Sequence, residues 1–201
     1  RVLLKEIAKN HGMFVTFMPK PTIGDWRSGA HINFSLTSTA NNKNIFEGKN
    51  GKFSDTAYHA VGGLIKHGTE ITAVACSTVN SYNGLVPIVG GFEGGVHTWA
   101  PTQMAYGDNN RSCMLRLPQN RFCIENRAAD MCMNPYLSLA LTTAAVMDGI
   151  KNKIDPGKPL NVNLYTLSPE EIKASKIKSL PRNLLEAIEK LQHDDFAKEV
   201  L

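Results

Sequence analysis

The segment from Asn109 to Arg127, NNRSCMLRLPQNRFCIENR, constrains the fold more than any other part of the chain. Four arginines (Arg111, Arg116, Arg121, Arg127) and one carboxylate (Glu125) are set among Cys113, Met114, Leu115, Leu117, Phe122 and Ile124. This mixture predicts two buried or half-buried strands joined near Pro118. Side chains alternate along a strand, so Cys123, Glu125 and Arg127 fall on one face and Phe122 and Ile124 on the other. A carboxylate and a guanidinium then stand side by side on a surface backed by core. Converging arginines suit an anionic ligand, because the planar fork binds carboxylate or phosphate through two hydrogen bonds. Glu125 is either their ion-pair partner or a ligand for a metal that accompanies phosphate. A solvated charge on a strand is the ordinary alternative for any one of these residues. It loses force for five charged groups at strand spacing among large apolar side chains.

The remaining chain supplies both strands and helices. Val2 to Asn10 has the pattern of an amphipathic helix, and the opening Arg-Val-Leu-Leu-Lys reads as a helix interior, which predicts a chain cut from a longer protein. Met13 to Met18 is a short apolar run suited to a strand. Gly29 to Leu36 alternates, with Ala30, Ile32, Phe34 and Leu36 on one face and His31, Asn33 and Ser35 on the other. Ser54 can cap a helix reaching about His67, with Gly68 as its C-terminal cap. Ile71 to Thr78 is a small-residue apolar segment. Asn80 to Gly95 is a loop in which four glycines surround Phe92 and Glu93. Asn134-Pro135 opens a helix whose Tyr136 to Met147 stretch is apolar nearly all round, as in a central buried helix. Ser168-Pro169-Glu170-Glu171 is a capping box, and Leu184 to Leu191 marks one more amphipathic helix. Strands interleave with helices without a regular βαβ rhythm. The expected class is α+β, a mainly antiparallel sheet with packed helices. Neither G-x-x-x-x-G-K-[ST] nor G-x-G-x-x-G occurs, which argues against a P-loop or dinucleotide fold.

Composition removes other classes. The 201 residues suffice for one sizeable domain, and a net charge of +4 without a Lys/Arg run gives no nucleic-acid footprint. No apolar run approaches the roughly 18 residues that span a bilayer. Cys76, Cys113, Cys123 and Cys132 form no C-x-x-C pair and sit in apolar surroundings. They read as small core residues of a protein kept reduced, with a cytoplasmic location expected.

Candidate chemistry gathers on the polar strand faces. His31 and Glu125, if their strands share a sheet, could ligate one divalent cation; imidazole plus carboxylate suits Mg²⁺ or Mn²⁺ in a phosphate-transfer site. A lone strand histidine is more often merely hydrogen-bonded. Arg111 and Arg116 are five apart, so one strand points them to opposite faces; Arg111 belongs at the strand entrance, where Asp108-Asn109-Asn110 can bend the backbone. Its ordinary alternative is an ion pair with Asp108 or Asp130. Glu93 could accept a proton from an amine once its loop closes. Asn33 and Ser35 could contact a nucleotide.

Taken together, these stretches resemble the glutamine synthetase family, in collinear order over nearly the whole chain. Thr16-Phe17-Met18-Pro19-Lys20-Pro21 with Ser28-Gly29-Ala30-His31-x-x-x-Ser35 is similar to its ATP-binding signature. Val79-Asn80-Ser81-Tyr82 and Leu85-Val86-Pro87 resemble its substrate-side loop. Asn110-Arg111-Ser112, Leu115-Arg116-Leu117-Pro118, Glu125-x-Arg127-x-x-Asp130 and Asn134-Pro135-Tyr136-Leu137 follow the strands and helix beyond. The resemblance implies an ATP-dependent ligase. Glutamate would be phosphorylated on its γ-carboxylate, and ammonia would displace the phosphate. Methylamine or another alkylamine is the alternative nucleophile. It implies that His31 and Glu125 hold Mg²⁺ or Mn²⁺, and that Arg111 and Arg116 stabilise the transferring phosphoryl group. Arg127 and Arg111 would contact substrate, Asn33, Ser35 and Arg116 would lie by ATP, and Glu93 in Gly91-Phe92-Glu93 would be the base. It further implies that residues 1–201 are the C-terminal portion of a catalytic domain, with a β-grasp domain lying elsewhere. Assembly into a homo-oligomer of stacked rings is expected, and the fragment alone is expected to be inactive.

Two departures touch the amino-acid substrate. The family pattern has Lys-Arg before Leu-Val-Pro, where this chain has Asn83-Gly84. It has Asn-Gly ahead of the signature histidine, where this chain has Trp26-Arg27, and Arg27 is a candidate replacement for the missing cation. Such variation resembles the type III branch, which includes glutamate–methylamine ligases. The alternative from another class is a non-catalytic relative kept for assembly or regulation.

Overall fold

The structure, a computed structural model, describes residues 1–22, 25–85 and 100–201. Its helices are α1 (Val2–Asn10), α2 (Asp55–Lys66), α3 (Gly68–Ala75), α4 (Val79–Asn83), α5 (Pro135–Asn152), α6 (Pro169–Ala174), α7 (Leu184–Gln192) and α8 (Asp195–Val200). Its strands are β1 (Ile32–Phe34), β2 (Gln103–Asp108), β3 (Cys113–Leu117) and β4 (Ile124–Asn126). They form one sheet in the order β1-β4-β3-β2. The β1–β4 and β4–β3 pairs are antiparallel, as the α+β reading expects, and the outer β3–β2 pair is parallel.

That parallel pair is joined only by residues 109–112, far fewer than the dozen or more usual for such a connection. Asparagines make the short return feasible. Asn109 takes a left-handed conformation (φ 54°), which asparagine tolerates better than most residues. The Asn110 Oδ1 accepts from Ser112 N at 3.0 Å and Ser112 Oγ at 2.7 Å, while its Nδ2 donates to the Leu160 and Val162 carbonyls at 2.7 and 2.8 Å.

Register fixes the two faces of the sheet. Asn33 lies opposite Glu125, and Glu125 opposite Arg116, so this polar row shares one face. Their strand neighbours Leu115 and Ile124 turn the other way, into a core that includes Val61 and Leu64 of α2 and Leu141 and Val146 of α5.

Helices α2 and α5 cross where glycines let their backbones touch. A Cβ at Gly63 would lie 2.0 Å from the Ala145 carbonyl oxygen, and one at Gly149 would lie 2.2 Å from that of His59. Backbone cannot yield as a side chain can. Gly63→Ala is therefore expected to destabilise the protein by about 3 kcal/mol, the upper end for overpacked cores. A urea-unfolding midpoint unchanged from wild type would refute this.

The expected starts hold. Ser54 caps α2, Asn134 caps α5 with Pro135 in its first turn, and Ser168 and Glu171 complete a capping box. Other expectations fail. Met13 to Met18 forms no strand; Met13 and Phe14 are exposed, and among the described residues no partner strand takes up its backbone groups. The apolar segment after Gly68 is helix α3. Gly68 opens that helix instead of capping α2, and it serves packing: a Cβ there would press on Met104 Sδ at 2.8 Å. Helix α5 buries one side only, since Tyr136 is 83% and Met147 52% exposed. Helix α8 was not anticipated; Asp194 caps it. All four cysteines are free. No helix among the described residues is long and apolar enough to cross a membrane.

Candidate active site

The polar sheet face converges on Glu125, which is 5% exposed. Strand β4 fixes its backbone, and three cationic or imidazole groups reach it from three directions. His31 Nδ1, just ahead of β1, lies 3.0 Å from Oε1. Arg127 Nη1, two residues on and therefore on the same face, lies 3.1 Å from the same oxygen. Arg116 Nη1, across the β3–β4 pair, donates to Oε2 at 2.6 Å. Burial by itself would raise the Glu125 carboxyl. Hydrogen bonds from His31 and Arg116, with the charges of Arg127 and Arg116, outweigh it and hold the group at about 2. Burial also pulls the Arg127 guanidinium below its usual range, and Glu125 offsets part of that.

The arginines are themselves held. Arg116 Nε and Nη2 both donate to Asn109 Oδ1, at 2.9 and 2.5 Å, so the left-handed asparagine at the end of β2 aims its guanidinium. Arg127 Nε donates to the Arg111 carbonyl at 3.1 Å. Arg111 sits at the entrance to β3, exposed, as its place after the asparagines suggested. Arg121 Nη2 donates to Asn33 Oδ1 at 2.9 Å, which brings a third arginine to the same row. Ser35 is exposed immediately beyond β1. Glu93 lies outside the described residues.

His31, Asn33, Arg116, Glu125 and Arg127 thus come together, as alternation on separate strands suggested. Sequence reasoning missed Asn109 as the residue that orients Arg116, and it left Arg121 unplaced. A run of asparagines before a strand is the available signal for the first, because Asn accepts a left-handed turn and offers a side-chain acceptor. Among the described residues no three His, Cys, Asp or Glu side chains cluster as a metal site. The pair His31 and Glu125 still fits a divalent cation in part. Their 3.0 Å separation matches adjacent corners of an octahedron with bonds of about 2.1 Å. Further ligands would have to come from outside this pair.

Residues 1–201 match the family model for the glutamine synthetase catalytic domain. A glutamine synthetase of Methanosarcina mazei is 42% identical over the whole of this chain and 44% of its own length. A glutamate–methylamine ligase of Methyloversatilis universalis is 42% identical over 98% of this chain and 44% of its own. The solved structure titled "GmaS/ADP complex-Conformation 1" superposes with a TM-score of 0.82 at 35% identity, covering 99% of this chain and 47% of that one. The chain spans under half the length of these relatives. With the motifs in order, the arginine–glutamate row and these matches, the chain belongs to the glutamine synthetase family.

Proposed function

We propose that the full-length protein is an ATP-dependent ligase that joins the γ-carboxylate of glutamate to ammonia or a small amine. The convergence of His31, Arg116 and Arg127 on Glu125 carries this reading. In the first step a γ-carboxylate oxygen bonds to the terminal phosphorus of ATP and ADP leaves. In the second, the amine nitrogen bonds to the acyl carbon, the C–O bond to phosphate breaks, and one amine proton passes to a base. Arg116, aimed by Asn109, and Arg111 at the β3 entrance neutralise charge on the transferring group. Arg127 orients the substrate. Asn33, fixed by Arg121, and Ser35 border the nucleotide together with Arg116. His31 and Glu125 would hold Mg²⁺ or Mn²⁺, which supplies charge neutralisation at the phosphates. Glu93 is our candidate for the base. The protein would act as a homo-oligomer in the cytoplasm.

Methylamine is the second nucleophile to weigh. The 42% identity to a glutamate–methylamine ligase, equal to that with a glutamine synthetase, favours including it. The test is ADP release by the full-length protein with glutamate and each amine. ADP is expected only when both are present. No γ-glutamyl product with ammonia, methylamine or ethylamine would end the ligase reading in favour of a non-catalytic relative.

A further inference from the structure

Two positions that depart from the family pattern, Arg27 and Gly84, are in contact. A Cβ at Gly84 would lie 3.2 Å from Arg27 Cβ, 3.3 Å from its Cδ and 3.3 Å from its Nε. A side chain at 84 and an arginine at 27 therefore compete for the same space. The exchange is reciprocal. The family pattern places glycine at position 27 and arginine at position 84; this chain has arginine at 27 and glycine at 84.

The Arg27 side chain is only 8% exposed. Its Nη2 donates to the Ala128 carbonyl at 2.9 Å. The same nitrogen lies 3.7 Å from Asp130 Oδ2, beyond hydrogen-bond range, and Cys76 is a further close neighbour. Nε and Nη1 are buried and have no hydrogen-bond partner among the described residues. Asp130 Oδ2 is likewise buried without a hydrogen bond, and the Cys76 thiol meets the same guanidinium, so these neighbours answer its charge while Nε and Nη1 keep no bond of good geometry. Buried polar groups are ordinarily bonded, and an unmet one asks for a ligand. The guanidinium hydrogen-bonds the residue that follows Arg127. Ala30 N donates to the Ala129 carbonyl at 3.0 Å, and Gly29 bridges to Asp130, so residues 27–31 run along 127–130.

We propose that Arg27 holds the α-carboxylate of the amino-acid substrate, from the place that an arginine at 84 would otherwise fill. The inference rests on the ligase reading above. The γ-carboxylate is the group that reacts, so the α-carboxylate is the anion that needs a static partner. A guanidinium with two unbonded donors, shielded from water and bonded to the residue after Arg127, offers one.

The experiment compares glutamate with 4-aminobutyrate, the same chain without its α-carboxylate, as substrates of the full-length protein. Arg27→Gly is expected to lower kcat/KM for glutamate about 100-fold, mainly through KM, the size of one charge-assisted contact. The values for 4-aminobutyrate and the KM for ATP should stay within about threefold of wild type. Gly84→Arg added to Arg27→Gly should return about tenfold or more of the loss. Arg27→Lys, which keeps the charge without the fork, should fall between. A structural arginine that only neutralises Asp130 would instead lower activity on both substrates in step with the melting temperature. That outcome, or an unchanged preference in both Arg27→Gly and Arg27→Lys, overturns the proposal. Wild-type protein that makes no γ-glutamyl product fails at the earlier step and removes both readings.

Discussion

Glu125→Ala is expected to reduce turnover of the full-length protein about 1,000-fold or more and to destabilise the fold by about 3–5 kcal/mol. The reason is that one buried carboxylate answers His31, Arg116 and Arg127 at once. Removing it leaves two guanidinium groups and an imidazole facing one another without the carboxylate that joins them. Both effects are separable. Glu125→Gln keeps the shape and one acceptor but not the charge, so it should recover part of the stability and little of the activity. Loss of Mn²⁺-dependent nucleotide binding, followed by calorimetry, reads the metal role apart from turnover. Acid provides an independent check. The carboxyl titrates near 4.5 in an unfolded chain and at about 2 in the fold. Its contribution is therefore complete above about 4.5 and is lost as pH falls through 2. Wild type should lose stability across that interval, and Glu125→Gln should lose less. Parallel acid-unfolding curves for the two proteins would refute the assignment.

The segment that carries these charges was legible because its pattern is local. Alternation at Cys123, Glu125 and Arg127, and at Phe122 and Ile124, assigns faces without knowledge of the rest of the chain. What alternation cannot give is register. That Asn33 sits opposite Glu125, and not one residue away, depends on how β1 docks on β4. The meeting of His31 with Glu125 was therefore a wager on tertiary structure, and the sheet bears it out. Helix α3 was missed for a different reason. It is buried almost throughout, so no polar face marks a helical period, and its small residues fit a strand as well. Met13 to Met18 erred the other way: an apolar run fits a strand, yet none among the described residues pairs with it. The contact of Arg27 with Gly84 lies across 57 positions, and only folding brings the two departures together.

Arg116 carries the second large effect. Arg116→Ala should lower kcat about 1,000-fold with a change of only a few-fold in the KM for ATP, because the role proposed for its charge is greatest while the phosphoryl group is in flight. The more telling substitution is Arg116→Lys. The guanidinium reaches Glu125 through Nη1 and Asn109 through Nε and Nη2, so three nitrogens of one plane are fixed by two partners. An ammonium is a single point charge on a flexible stem and cannot span both. If the site only needs a positive charge opposite Glu125, lysine will serve and activity will remain within about threefold of wild type. If the plane must be aimed, lysine will be nearly as poor as alanine, and Asn109→Ala will lower kcat about tenfold while leaving every charge in place. The structure favours the second result, because Asn109 adopts a left-handed backbone conformation to offer its oxygen there. Measured initial rates of ADP formation for Arg116→Lys and Asn109→Ala decide between them.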